Sequence, residues 1–587
     1  MASIPFFVEM KHFLGGSLLT SLLAAGAFGS SLAEVCTSSR IRTALPKDGA
    51  IAGISMDPDS ITANPVYNAS AGYSVFYPEG NFDYCNVTVS YCHIGKGDKV
   101  NLQYWLPSPD KFQNRYLATG GGGYAINSGT QSLPGGVMYG AVAGRTDGGF
   151  GGFDVQVSEA ILYANGSLNY DSLYMFGYRA IGEQTMIGQE LARGFCELGD
   201  EKKIYTYYQG CSEGVREGWS QILKFPDLYD GVIPAAPAFR YGHQQVNHLF
   251  PGVIEQGMNY YPPPCEMARI VNATIEACDK LDGKIDGVVS RTDLCLLNFD
   301  FNSTIGLHYT CEAGSNPMTG DSTPAQNGTV STKAAELARV LTEGLHDSQG
   351  NKAYVFYQIT AGYDDADTKY NPATGQFELS VSSLGGEWVT KLLQLVDLDN
   401  LPNLDNVTVD TLVDWMQCGW QTYEDVLQTT RPDLSLYERA GGKILTFHGE
   451  SDNSIPAGSS VHFYESVRNV MYPGISFNQS TDAMGEWYRL YLVPGAAHCS
   501  INALQPNGPF PQTTLEVMID WVENGNTPTT LQATYLVGDN KGKPAEICPW
   551  PLRPTWTDEG SKLQCVYDHT SINTWMYDFN AFSLPVY

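Results

Sequence analysis

Positive charge is scarce in this chain: 34 lysines and arginines stand against 63 aspartates and glutamates, giving a net charge of −29 and a pI near 4.6. A surface so balanced repels phosphate backbones and anionic lipid, which argues against nucleic acid and charged membranes as partners. Beyond residue 33 no apolar run is long enough to span a bilayer, which argues against a membrane anchor there. Charged residues make up only 17% of the chain against 43% hydrophobic, a balance that excludes a disordered chain. There is no internal repeat, and no low-complexity tract past the N-terminal region.

What is present describes a large secreted globular protein. The 587 residues allow one large or two moderate domains with ample length to bury a core. Lys11 and His12 precede an apolar, small-residue stretch from Phe13 to Phe28 and then Ser31-Leu32-Ala33. This reads as a signal peptide over residues 1–33, too short and too rich in glycine and serine to be a good membrane anchor. Eight Asn-X-Ser/Thr sequons follow, together with 13 cysteines. With a leader, they predict an extracellular, disulfide-bonded glycoprotein. The odd number leaves at least one cysteine unpaired unless it bonds another chain.

From about Val100 the pattern is α/β. Val100–Leu106 alternates like a strand, 114–119 leads into the glycine run Gly120–Gly123, and 172–194 has a helical spacing of apolar residues. Lys203–Tyr208 is a short β-rich run ending at Gly210, and Val215–Leu223 fits a helix. The block 238–439 differs: it holds a triple proline and four of the sequons and lacks clean β-α alternation. After it, Lys443–Phe447 reads as a buried parallel strand, 458–470 as a helix, 487–493 as a strand and 514–524 as a helix. The prediction is one α/β domain over 34–237 and 440–587, interrupted by a large inserted lid.

Gly210-Cys211-Ser212-Glu213-Gly214 follows a strand and opens a helix. That is the setting of a nucleophile elbow, in which the serine hydroxyl projects from the sheet and the following N–H, here of Glu213, faces a developing oxyanion. An ordinary surface turn competes with this on the pentapeptide alone. His498 lies in a glycine-containing turn just after a strand, and Asp452 lies in the loop beyond the strand 443–447. A carboxylate there would orient an imidazole; Glu450 is the competing acid, and a helix cap is the structural alternative for Asp452. The order Ser212, Asp452, His498 is that of the α/β-hydrolases. Cys211 precedes the serine and Cys499 follows the histidine. If these two are bonded, their Cα atoms lie within roughly 4.4–6.8 Å, and serine and histidine become neighbours. Gly122 and Gly123, ahead of the elbow, are placed to supply a second oxyanion N–H.

One further motif carries chemistry. Cys278–Val288 packs Asp279, Asp282 and Asp286 into a short loop with two glycines. Hard cations take oxygen ligands, and no histidine or thiolate cluster accompanies these acids, so calcium is preferred over zinc. Counted from Asp282 the spacing partly follows an EF-hand, with Asp293 twelfth, although Lys284 stands where an acid is usual. Cys278 and Cys295 flank the loop and are placed to staple it. A pair of solvated Asp-Gly turns is the alternative.

On the Gly-Cys-Ser elbow, the blocks 448–456 and 494–499, the acidic loop 286–295 and the stretch 260–265, the sequence resembles the fungal tannase and feruloyl esterase family over nearly the whole mature chain. The resemblance implies an α/β-hydrolase with a large lid, a triad of Ser212, Asp452 and His498, and a Cys211–Cys499 disulfide beneath it. It also implies a structural Ca2+ held by the Asp279, Asp282 and Asp286 side chains and the Lys284 and Val288 carbonyls. The implied reaction is hydrolysis of galloyl esters of plant polyphenols, a small-molecule substrate, with an aromatic acyl pocket built by the lid. A feruloyl esterase would share every catalytic residue, and a non-catalytic calcium-dependent binding protein would give no reason for the triad. The stretch 312–325 lacks arginine and lysine, against cleavage of the lid into two chains. The pairing of Cys92, Cys196 and Cys418 and the oligomeric state stay open.

Overall fold

Strands that are buried on both faces dominate the centre of the molecule, and they explain its apolar runs. The structure is a computed structural model that describes residues 31–315, 322–366 and 368–587; the leader expectation falls, but for residues 31–33, outside them. Nine strands form one sheet: β1 (Ile54–Ser70), β2 (Asn81–His93), β3 (Val100–Leu106), β4 (Arg115–Thr119), β5 (Ala141–Thr146), β6 (Tyr205–Cys211), β7 (Gly231–Ala235), β8 (Lys443–Gly449) and β9 (Tyr488–Val493), in the order β1-β2-β3-β5-β4-β6-β7-β8-β9. The first three and β5 pair antiparallel, and from β5 onward every pair is parallel. β7 is buried throughout and β8 nearly so, as expected of parallel strands covered on both sides.

The sheet is wrapped by α1 (Ala180–Phe195), α2 (Glu213–Lys224), α5 (Ala457–Met471) and α6 (Thr514–Asn524), while α3 (Tyr241–Asn247) and α4 (Pro264–Cys278) belong to the insertion. Adjacent residues of β6 enter opposite cores: Tyr207 joins Leu445, Phe447 and Met518 of α6, and Tyr208 joins Trp219 of α2 and Val461 of α5. That is the period of two made visible. The hairpin β1–β2 was not among the expected strands. β1 is mostly exposed, polar, interrupted by Pro65 and irregular in register, the dress of an edge strand.

Everything between β7 and β8 is inserted between two adjacent parallel strands. It does not own a separate core: Phe250, Met267, Leu337 and Trp388 belong to the same cluster as the sheet residues Tyr104 and Tyr208. The C-terminal segment also reaches it. Ala581 N donates to Lys352 O (3.1 Å), Lys352 N donates to Asn580 Oδ1 (2.8 Å), and Phe582 packs on His243. Five disulfides are formed: Cys36–Cys85, Cys211–Cys499, Cys265–Cys311, Cys278–Cys295 and Cys548–Cys565. Cys92, Cys196 and Cys418 are free thiols. Leu32, inside the stretch expected to be removed with the leader, is buried.

Candidate active site

Ser212 sits between the end of β6 and the first residue of α2 with φ 65° and ψ −128°. A non-glycine residue in left-handed space costs about 1–3 kcal/mol and persists only where its surroundings impose it. Here Ser212 N donates to Ala235 O at 3.0 Å, locking the turn to β7. Both flanking glycines are required by contact. A Cβ on Gly210 would lie 2.8 Å from Gly214 O, and one on Gly214 would lie 2.6 Å from Gly121 O. The pentapeptide is therefore a tight strand-to-helix turn, not a surface loop.

The disulfide Cys211–Cys499 has a Cα separation of 5.9 Å across 288 residues of sequence. It draws Ser212 and His498 to one cavity of about 500 Å3, which both line. Behind the imidazole, His498 Nδ1 meets Asp452 Oδ2 at 2.9 Å. With Nδ1 committed to the acid, Nε2 is left as the nitrogen for chemistry. Asp452 Oδ1 accepts from Ser454 N and Ile455 N, each at 2.8 Å. Burial alone would push this carboxyl up, but the His498 charge and hydrogen bonds from His448 and His498 hold it far below the usual carboxylate range. For His498 the burial that would lower its pKa is outweighed by Asp452 and, more weakly, Asp365 of the insertion, so it rises above the ordinary value.

The competing acid is committed elsewhere. Glu450 Oε2 accepts from Arg553 (2.7 Å) and Thr292 (2.6 Å) and is fully buried away from the imidazole. His448 was not expected at the site. Its Nε2 stands 3.1 Å from Asp452 Oδ2 and 3.0 Å from Ile455 O, and its Nδ1 2.7 Å from Ser460 Oγ. Two acceptors at Nε2 require the proton there, so His448 is a second donor fixing the acid. Its position four residues before Asp452 was the available sequence signal.

The oxyanion expectation needs correction. Gly122 N donates to Ala125 O at 3.1 Å in a tight turn, and Gly121 N donates to Glu217 Oε2 at 2.9 Å. Gly122 is thus not a free donor, because its turn consumes the N–H. Gly123, with φ 61°, accepts from the Tyr241 hydroxyl through its carbonyl and does not line the cavity, whereas the Glu213 N–H, at the first position of α2, has no intrahelical acceptor. The Glu213 side chain turns back to Arg216, itself held by Gly177 O (2.8 Å) and Phe176 O (2.9 Å). This fully buried pair fixes the start of α2.

The aromatic lining also differs from expectation. Tyr73, Phe76 and Tyr77, on the loop between β1 and β2, supply the rings of this cavity. Phe76 packs edge-on to Phe510 and Tyr77 donates to Gln131 O at 2.6 Å, while Tyr73 is 58% exposed at the rim. No described residue of the insertion is among those lining the cavity; the insertion reaches the histidine from behind, where Asp364 accepts from Asn453, whose Oδ1 lies 3.4 Å from His498 N.

A family model described as "Tannase and feruloyl esterase" matches residues 85–572. The chain belongs to this family. It is 50% identical over 590 residues to "Tannase" of Aspergillus oryzae, covering 97% of this chain and 99% of that one. It is 28% identical to "Probable feruloyl esterase" of Arthroderma benhamiae, over 84% and 88% of the two chains. Among solved structures it resembles "Tannin acyl hydrolase from Aspergillus niger" with a TM-score of 0.92 at 54% identity, over 95% and 99% of the chains. Feruloyl esterase B from Aspergillus oryzae, at 20% identity and a TM-score of 0.69, shares the fold.

In this member of the tannase and feruloyl esterase family the acidic loop is stapled by Cys278–Cys295. Among the described residues no three His, Cys, Asp or Glu side chains converge as a ready-made metal centre. Asp279 accepts from Asp286 N (3.1 Å) and Gly287 N (3.0 Å), and Asp286 pairs with Lys284 Nζ at 2.8 Å. Asp282 Oδ1 accepts from Lys284 N at 2.9 Å, but its Oδ2 is buried without a hydrogen bond. Burial first, then repulsion from Asp286 and Asp279, pushes the Asp282 carboxyl up to about 6. An orphaned oxygen among mutually repelling carboxylates fits a hard cation, and ionised carboxylates that already accept N–H groups keep lone pairs for it. Asp293 does not join the loop: its oxygens face Arg291 (3.1 and 3.2 Å) and Arg553 (3.3 Å). The partial EF-hand count therefore ends before its last position.

Proposed function

We propose that this chain is a secreted serine esterase that cleaves galloyl esters of plant polyphenols. The observation that carries it is the disulfide-tethered pair Ser212 and His498 in one cavity, backed by a buried carboxylate, in a chain half identical to a tannase. His498 takes the Ser212 proton through Nε2 as the hydroxyl oxygen attacks the ester carbonyl. Asp452 stays ionised and stabilises the imidazolium. The N–H of Glu213 receives the tetrahedral oxyanion; one such donor is worth about 10²–10³ in rate. The imidazolium returns its proton to the departing alcohol, leaving a galloyl ester on Ser212. Water then attacks with His498 again as base, releasing gallate and the free serine.

The same reading places a structural Ca2+ at Asp279, Asp282 and Asp286 with the carbonyls of Lys284 and Val288, supported by the unpartnered Asp282 oxygen. When bound, the ion supplies positive charge and cross-links the loop. Secretion and glycosylation are supported by the eight sequons, whose asparagines are all at least partly exposed.

The test is hydrolysis of methyl gallate and methyl ferulate side by side by the wild type and Ser212→Ala. Faster, Ser212-dependent cleavage of gallate is expected. Preference for ferulate would keep the mechanism and transfer the chain to feruloyl ester chemistry. No cleavage of either would overturn the esterase reading.

A further inference from the structure

Arg240, the residue before α3, is 1% exposed. Arginine stays protonated in proteins, and a buried cation needs an opposing charge. Among the described residues no carboxylate forms an ion pair with it. Its Nη1 donates to Ser459 Oγ (2.8 Å) and O (3.3 Å) on α5 and the guanidinium also interacts with the Tyr354 hydroxyl, whereas Nε and Nη2 are buried with no hydrogen bond. The nearest ring, Phe579, lies 5.9 Å from the guanidinium carbon, at the outer limit of a useful cation–π contact.

A second donor points the same way. His243, one turn further along α3, is 1% exposed, and its Nδ1 faces Gln428 Nε2 at 3.4 Å. With Nδ1 accepting, the proton lies on Nε2, and that atom too is buried without a partner. Burial and then Arg240 hold this imidazole neutral, down to about 3. His462 of α5 is likewise held down to about 3 by burial and Arg240, and it donates to Val586 O at 2.6 Å. Neither histidine balances the guanidinium. The group is roofed by Tyr354, whose ring is 5.9 Å from that of His243 and whose hydroxyl lies 3.4 Å from Ser459 Oγ, and by Phe579 and Phe582 of the C-terminal segment.

We propose that Arg240 and His243 bind one small inorganic anion of the halide type, where the insertion, α5 and the C-terminal segment meet. The donors are Arg240 Nε and Nη2 and His243 Nε2. Both residues are 1% exposed, and a singly charged halide gives up its hydration there at less cost than a multiply charged oxyanion. The ion would tie the insertion to the sheet domain independently of the ester chemistry.

The test uses the full glycosylated chain exchanged into sodium gluconate and titrated with sodium chloride or bromide at constant ionic strength. A saturable rise in melting temperature with both halides is expected. Crystals soaked in bromide should show an anomalous peak beside Arg240 Nε and His243 Nε2. Arg240→Met should remove both signals. Should that variant fail to fold, His243→Phe removes one neutral donor and is expected to weaken the halide midpoint by about tenfold. Equal melting in gluconate and chloride, or density there without anomalous signal, overturns the proposal in favour of ordered water.

Discussion

Two buried aspartates in short loops, Asp452 and Asp282, have opposite fates. They are 1% and 2% exposed. Asp452 accepts two backbone N–H groups and faces two imidazoles, and its carboxyl is held down as an anion. Asp282 accepts one N–H, leaves an oxygen bare and faces two like charges, and its carboxyl is pushed up. Depth is the same, so depth does not decide the charge state. The number of donors and the sign of the neighbours do. One loop is electrostatically closed by the protein itself. The other is left open, and it is there that the proposed cation would bind.

Breaking the closed loop should have the largest effect. Asp452→Asn is expected to lower kcat by about 10⁴ while leaving the fold intact, measured on methyl gallate with circular dichroism as control. His448→Gln keeps the triad and removes one imidazole from Asp452; kcat should fall by up to about 10² through misplacement of the acid. The open loop should answer to metal instead. Chelation with EGTA should lower the melting temperature by several degrees, equivalent to losing about 2.7 kcal/mol for a site held at a hundred times its dissociation constant. Asp282→Asn should show little response to EGTA and keep most of its kcat.

The sign of the pH dependence sharpens the contrast. Without metal, the folded Asp282 carboxyl stands at about 6, above its ordinary 3.8. A raised carboxyl favours the protonated folded state, so its contribution falls as pH rises from about 4 to about 6 and stays lost above. Asp452 is depressed below its ordinary 3.8, so its stabilisation is present above that value and is lost as pH falls toward the folded pKa. Melting temperatures in EGTA should therefore drop between pH 4 and 6 relative to the calcium-loaded protein. Parallel curves would remove the assignment of a cation to Asp282. The smallest effect is expected at the cavity rim, where Tyr73→Ala should raise KM for bulky aromatic gallates by about 2- to 10-fold and leave methyl gallate nearly unchanged.

Much of this was legible beforehand, for local reasons. Strands β6 and β8 are short runs rich in aromatic, aliphatic and β-branched residues, and α6 begins and ends where its pattern does. Gly210 and Gly214 announced a turn that tolerates no side chain. The hairpin β1–β2 was illegible because an exposed edge strand carries little hydrophobic signal. Its loop brings Tyr73, Phe76 and Tyr77 to the cavity from a distance that no spacing reveals. Gly122 looked available because glycine permits a donor to face substrate; only its bond to Ala125 shows the donor is spent.

The sequence by itself determined the elbow, the order of serine, acid and histidine, and the two cysteines that flank the site. These depend on backbone freedom, apolar periodicity and adjacency, which act over a few residues. Only the tertiary structure decided that Glu450 belongs to Arg553, that His448 shares Asp452, that Asp282 keeps a bare oxygen and that Arg240 pairs with no carboxylate among the described residues. Partnership between charges falls off over a few ångströms in space. It is therefore assigned by whichever distant segments packing brings together.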